Sequence, residues 1–283
     1  LALVLSGGGA KGAYQLGVVN ALMQYGLYDK ISGFSGASIG ALNIALIESV
    51  GIDKAIDTWQ NRISDIFFSD SINFYEIMNM LKNIKTNTPL KKSYLCDRKN
   101  LVELFEEFQI HTLSASDKVM YASTVDITDV PKELRSIRAA LSAYDKLPVG
   151  NVSYLALNYK NTENIYKVLL ASSALPLIFE PIEINDKHYI DGGLIDNIPI
   201  KPLYDYGYKN IIIISCDYDT SLDELQEKFP KSNLYLIKPD YDLGNLFNGT
   251  LNFHKNKLSE SFELGYKNGM EFSKNFISQS YIT

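Results

Sequence analysis

Gly36-Ala37-Ser38-Ile39-Gly40 places a serine between glycines at minus two and plus two. Between a strand and a helix, that spacing lets the chain turn sharply enough to push the hydroxyl outward, where it can act as a nucleophile in acyl transfer. The same five residues also suit an ordinary turn. Gly7, Gly9 and Gly12 fit G-x-G-x-x-G in the run Ser6-Gly7-Gly8-Gly9-Ala10-Lys11-Gly12. Three roles fit that loop: a dinucleotide site, an oxyanion hole built from backbone N–H groups at a helix N-terminus, or a tight turn. A dinucleotide site also requires an acid at the end of the next strand, but that strand ends Phe34-Ser35-Gly36 and Asp29 precedes it. The P-loop form fails because Lys11 comes before Gly12 rather than after it. Asp191-Gly192-Gly193 ends a third strand with an acid, either a turn former or a chemical group.

A serine nucleophile needs a base, and the three histidines offer poor ones. His111 follows an amphipathic helix end, where a cation favours the helix dipole. His254 stands among Asn and Lys near the start of the last helix. His188 lies three residues before Asp191 on one strand, so period-two alternation sends the two side chains to opposite faces.

These residues need a scaffold. Leu1 to Leu5, Ile31 to Ser35, Val119 to Val125, Val152 to Leu157, Ile211 to Ser215 and Leu234 to Ile237 are short apolar runs that predict strands, with Ile182 to Ile190 a hairpin around Asn185-Asp186-Lys187. Helices are predicted up to Tyr25, over 39–48, over 165–174 and from about Asn252, the last with Gly265 and Gly269 admitting a close neighbour. Short runs between helices without alternation indicate a three-layer α/β/α fold with a mostly parallel sheet covered on both faces. Residues 52–110 are expected to be a helical insertion or lid, containing a helix capped by Asn73 and Glu76. At 283 residues, one domain over 1–283 is expected.

Composition excludes several classes. With 46% hydrophobic and 21% charged residues, the chain is neither disordered nor of low complexity. Its longest apolar runs fall far short of the roughly 18 residues a membrane-spanning helix requires. A net charge of -6 removes the basic footprint of nucleic-acid or anionic-lipid binding, so lipid contact must be apolar. Cys96 and Cys216 form no disulfide framework and point to a reducing, cytoplasmic compartment, although a beginning at Leu1 leaves a removed signal peptide open. Richness in Tyr, Asn and Ile hints at an AT-rich bacterial genome.

In order and spacing, the glycine loop, the serine motif and Asp191-Gly192-Gly193 resemble the patatin-like phospholipase family. The likeness extends to Ala171-Ser172-Ser173-Ala174-Leu175-Pro176 with Phe179 and Pro181, and to Asn197-Ile198-Pro199. The resemblance implies a Ser38–Asp191 dyad, with Ser38 as nucleophile and Asp191 as general base. It also implies an oxyanion hole, placed here on the N–H groups of Gly8, Gly9 and Ile39. Ester hydrolysis would then run without metal or organic cofactor, on phospholipids, lysophospholipids or neutral acyl esters. A catalytically silent lipid-binding or scaffolding protein is the main alternative, and a Rossmann-like nucleotide binder the weaker one. Residues 61–95, with Phe67-Phe68, Phe74-Tyr75 and Met78 to Leu81, are expected to cover the site and touch micelles or membranes transiently. Oligomeric state is left open.

If no histidine is the base, replacing His111, His188 and His254 singly with Gln should leave ester turnover within about tenfold of wild type. A thousandfold loss in a folded variant would replace the dyad by a triad.

Overall fold

The apolar start of the chain is a strand buried on both faces. In a computed structural model, which describes residues 1–67, 98–131, 150–158 and 162–280, β1 (Ala2–Leu5) lies near the middle of an eight-stranded sheet. The glycine loop carries it into α1 (Gly12–Gln24), and the chain returns as β2 (Gly33–Ala37) and turns into α2 (Ile39–Val50). The described part of the helical insertion comprises α3 (Ile52–Asn61), α4 (Ile63–Phe67) and α5 (Lys99–Glu107). The helix expected from Asn73, and residues 68–95 of the expected cover, lie outside the described residues.

The second half supplies β3 (Val119–Asp126), β4 (Asn151–Ala156), α6 (Thr162–Ser172) and a hairpin of β5 (Ile182–Ile184) and β6 (Lys187–Asp191). It continues with α7 (Lys201–Tyr206), β7 (Asn210–Ile214), α8 (Leu222–Lys228), β8 (Asn233–Ile237) and α9 (Lys255–Ser280). The sheet order is β5-β6-β3-β2-β1-β7-β8, with β4 also paired to β3. β8, β7, β1, β2 and β3 run parallel. β4 and β6 instead run antiparallel to β3, and β5 antiparallel to β6, so the sheet is mostly parallel with an antiparallel margin.

Alternation within the central strands divides the interior into two cores. Leu3, Leu5, Phe34, Met120, Ile212 and Ile214 pack with α1 and α2 on one face. Ala2, Val4, Ile211 and Ile213 pack on the other with Ile200, Leu203 and Phe229, around α7 and α8. Helices therefore cover both faces, as the three-layer reading requires.

α9 begins at Lys255 rather than near Asn252, because the Asn252 side chain accepts the His254 N–H at 3.2 Å in a local turn, and a single π-type turn, Leu246–Thr250, precedes it. Asn245 caps that turn by accepting from the Phe247 and Asn248 N–H groups, and Asn248 Oδ1 accepts the Asn245 N–H in return. α9 then lies along α1 at a spacing only glycine allows: a Cβ at Gly265 would sit 2.0 Å from the Tyr14 carbonyl oxygen. Backbone on backbone cannot give way as a flexible side chain would. Gly265→Ala should therefore lower stability by about 1–3 kcal/mol and the melting temperature by roughly 2–4 °C for each of them. Thermal unfolding followed by circular dichroism checks this, and an unchanged midpoint would mean the two helices do not cross so closely.

Candidate active site

Register in β3 brings Ser38 and Asp191 together. Ala37, the last residue of β2, is opposite Ser123, and Asp191, the last residue of β6, is opposite Thr124. One strand arrives parallel and the other antiparallel, and they meet end to end on consecutive residues of β3. Ser38 and Asp191, 153 residues apart in sequence, thereby share a hydrogen bond of 2.6 Å from Ser38 Oγ to Asp191 Oδ2.

The crowding at this junction explains the local sequence. Ser38 adopts φ 52°, ψ −122°, a conformation rare for a residue with a Cβ and costing on the order of 1–3 kcal/mol. Gly40 lets α2 start against β1, since a Cβ there would stand 2.3 Å from the Leu5 carbonyl oxygen. A Cβ at Gly192 would lie 2.3 Å from the Ser123 carbonyl. Gly36 and Gly193 flank the same turns, and the Gly193 N–H donates to Asp191 Oδ1 at 2.8 Å. Ser172, the last residue of α6, holds the elbow by donating to the Ser123 carbonyl (2.7 Å) and accepting the Ser38 N–H (3.1 Å).

A cavity of about 280 Å³ opens on the pair, lined on one side by Gly7, Gly8, Gly9 and Ile39. The Gly7 N–H is used by the Asn197 carbonyl and the Ser38 N–H by Ser172. The N–H groups of Gly8, Gly9 and Ile39 donate to no acceptor among the described residues. Gly12 lies outside the cavity lining, at the first position of α1. Phe67, Leu175, Phe179 and Leu251 pack together as an apolar wall, and Leu42 and Phe253 line the cavity with them, as do the polar Lys11, Asn197 and Asp217. Phe67 stacks on Phe253 with ring centroids 5.2 Å apart, so the end of the expected cover that falls within the described residues is part of this wall.

The histidines lie elsewhere. His188 Nε2 is 3.7 Å from Glu183 Oε2 on the neighbouring strand, His254 is exposed before α9, and His111 sits in the 3-10 turn Ile110–Ala115. Sequence patterns did not single out several residues that complete the site. Arg98 donates to the Leu170 and Ser173 carbonyls and lies 4.1 Å from the centre of the Phe179 ring. Leu251 and Phe253 follow the π turn and carry no motif. Ser172 belongs to a motif, but its hydroxyl's role emerges only from β3. Among the described residues, no three His, Cys, Asp or Glu side chains cluster as a metal site would need.

A strand-to-helix serine facing an aspartate across the ends of sheet strands, in a three-layer α/β fold, defines a class of acyl-transfer architecture. The match of residues 3–204 to the patatin-like phospholipase model shows that the chain belongs to that family, and so to the lipid acyl hydrolases. It is 25% identical over 264 residues to the probable lipid hydrolase 463L of Invertebrate iridescent virus 6, covering 85% of this chain and 79% of the viral protein. It is 24% identical over 216 residues to lysophospholipase NTE1 of Saccharomyces cerevisiae, covering 76% of this chain but only 10% of the yeast protein. In fold it is similar to VipD from Legionella pneumophila, with a TM-score of 0.56 at 16% identity, covering 97% of this chain and 66% of that one.

Burial raises the Asp191 carboxyl to about 6, while hydrogen bonds from Ser38 and Gly193 and the Arg98 charge oppose the rise. In the unfolded chain the same group titrates near 3.9. The folded state thus takes up the proton first, and its stability gains as pH falls from 6 towards 4, by on the order of 2–3 kcal/mol. Asp191→Asn lacks this titration. Its stability relative to wild type should be highest near pH 8 and decline as pH falls from 6 to 4, as read by urea unfolding. A pH-independent difference would show that Asp191 titrates normally.

Proposed function

We propose that this chain hydrolyses carboxylic esters of lipids through an acyl-Ser38 intermediate, with Asp191 as the base. The observation that carries the reading is the 2.6 Å hydrogen bond from Ser38 Oγ to Asp191 Oδ2 at the floor of a cavity with one polar and one apolar wall. The ester's acyl chain lies along Leu42, Phe67, Leu175 and Phe253, with its carbonyl over Ser38. Ser38 Oγ attacks the carbonyl carbon as its proton passes to Asp191 Oδ2, and the carbonyl π electrons move onto oxygen. The N–H groups of Gly8, Gly9 and Ile39 receive that negative charge, each such donor being worth about 10²–10³ in rate. Collapse expels the alcohol, which leaves with the proton from Asp191. Water then attacks the acyl-enzyme, gives its proton to Asp191 and releases the fatty acid, and Ser38 regains its hydrogen.

One acyl hydrolase domain over 1–283 belongs to this reading, supported by a core that runs from Leu3 to Leu258. So does contact of residues 61–95 with aggregated lipid, supported by Phe67 in the apolar wall. The name of the yeast relative favours lysophospholipid substrates, and that of the viral relative favours lipids as a class.

Ser38→Ala and Asp191→Asn should each reduce hydrolysis of a soluble ester and of lysophospholipid by at least a thousandfold while the far-ultraviolet spectrum is unchanged. Their combination should cost little more than either alone, because the two groups act as a unit. A fluorophosphonate should label wild type at Ser38 and leave Ser38→Ala unlabelled. Turnover at a tenth of wild type in folded Ser38→Ala would remove Ser38 from the chemistry. A wild type that binds lipid but neither turns over nor labels would be the silent binder instead.

A further inference from the structure

Beneath the cavity, three buried side chains outside the reaction chemistry form one hydrogen-bonded chain. Trp59 Nε1 in α3 donates to Asn43 Oδ1 in α2 at 2.9 Å. Asn43 Nδ2 donates to Gln15 Oε1 in α1 at 2.9 Å and to the Gly12 carbonyl at 3.1 Å. Gln15 Nε2 donates to the Ser6 carbonyl at 2.6 Å. Gln15 is 0%, Asn43 1% and Trp59 3% exposed, so water cannot substitute for these bonds.

The polarity of the chain admits one assignment. An indole N–H only donates, so Asn43 must turn its oxygen to Trp59. Backbone carbonyls only accept, so Asn43 must turn its nitrogen to Gly12 and Gln15 its nitrogen to Ser6. The atoms left to face each other, Asn43 Nδ2 and Gln15 Oε1, then form a donor and acceptor. Flipping either amide would set like groups together at both of its ends.

The two carbonyls gripped in this way, Ser6 and Gly12, bracket the glycine loop. Three consecutive glycines have no side chains by which to be held and much backbone freedom to lose, so beside the backbone bonds from the Gly7 N–H to the Asn197 carbonyl and from the Lys11 N–H to the Gly8 carbonyl, a grip on each end of the loop narrows its position further. Asn43 lies five residues, about one and a half turns, beyond Ser38, the residue that caps the same helix. We propose that the Asn43–Gln15 amide pair positions the glycine loop relative to Ser38, holding the Gly8 and Gly9 N–H groups where the ester's carbonyl oxygen gains charge. The proposal rests on the acyl-transfer reading above. Such donors help only when they are in place before the reaction, and a displacement of about 1 Å can cost a hundredfold in rate. Both amides are therefore positioning residues. Trp59, on the helical insertion, anchors the far end of the chain.

Gln15→Met is the deciding variant, since it keeps the volume and leaves the Trp59–Asn43 bond intact. On a short soluble p-nitrophenyl ester, kcat should fall by about a hundredfold with KM within roughly threefold of wild type. The rate of fluorophosphonate labelling at Ser38 should fall in parallel, because the phosphonyl oxygen uses the same donors. Trp59 is the chain's only tryptophan, so its emission should match wild type in Gln15→Met and shift in Asn43→Leu. Asn43→Leu should show the same kinetic loss, and the double variant should lose little more than the worse single one. If Gln15→Met does not fold, Asn43→Leu carries the test, with slower labelling expected and wild-type labelling overturning the proposal. A folded Gln15→Met with wild-type kcat and labelling rate also overturns it. So does a loss confined to melting temperature and to the labelled fraction, with the rate per labelled site unchanged. If wild type itself neither turns over the ester nor labels at Ser38, the acyl-transfer reading falls; if it does both and the variants match it, only the positioning role falls.

Discussion

Two strand ends meeting on β3 are the constraint from which the site follows. Between Ser123 and Thr124 the hydrogen-bonding edge of β3 passes from β2, which arrives parallel, to β6, which arrives antiparallel. Each incoming strand must leave the sheet at once, because the other occupies the next place. β2 leaves through the strained turn at Ser38, and β6 leaves through Gly192 and Gly193. Ser38, the residue after β2, and Asp191, the last of β6, are thereby pressed together, and Ser172 closes the junction from α6 by binding both the Ser123 carbonyl and the Ser38 N–H. The backbone strain at Ser38 and the exclusion of water from Asp191 share this origin.

The chemistry and the cavity come from different stretches of the chain. Loop, elbow and aspartate all lie within residues 3–204, the span of the family match. Thr250, Leu251 and Phe253, which line the cavity, lie beyond it, and their segment sits on the glycine loop, where a Cβ at Gly9 would stand 2.2 Å from the Thr250 carbonyl oxygen. The helical insertion adds Phe67 to the apolar wall, Trp59 to the polar chain beneath the loop, and Arg98 behind Phe179. Acyl transfer needs fixed atoms at fixed distances, whereas holding a hydrocarbon chain needs only apolar surface of suitable shape. The wall can therefore be assembled from segments that share no motif.

That difference also explains what could be read from sequence. Gly36, Gly40 and Gly192 were legible because close backbone approach demands glycine wherever it occurs. Both cores were legible in outline because buried central strands lack polar alternation. The antiparallel direction of β4 and β6 was not legible, since a short apolar run reads the same whichever way it is paired. Nor was the π turn before α9, which depends on reciprocal bonds between Asn245 and Asn248. Asn43 and Gln15 are polar residues that carry no motif in otherwise apolar helices. Only the packing of α1 against α2 shows that each satisfies the other.

On the acyl-transfer reading, the absence of a histidine base follows from how the aspartate is buried. A solvated carboxylate titrating near 3.9 is too weak a base to take a proton from a serine hydroxyl effectively at neutral pH, and general-base efficiency improves as the pKa approaches the working pH. Burial carries Asp191 to about 6, close to the 6.5 of an ordinary imidazole. A further rise would leave the carboxyl protonated at neutral pH and unable to accept. The Ser38 hydroxyl, the Gly193 N–H and the Arg98 charge oppose that rise. Arg98 also grips the carbonyls of Leu170 and Ser173, on either side of Ser172. One cation therefore helps keep the base ionised and helps fix the helix end that holds the nucleophile's backbone, so base strength and nucleophile geometry are set by the same few buried groups.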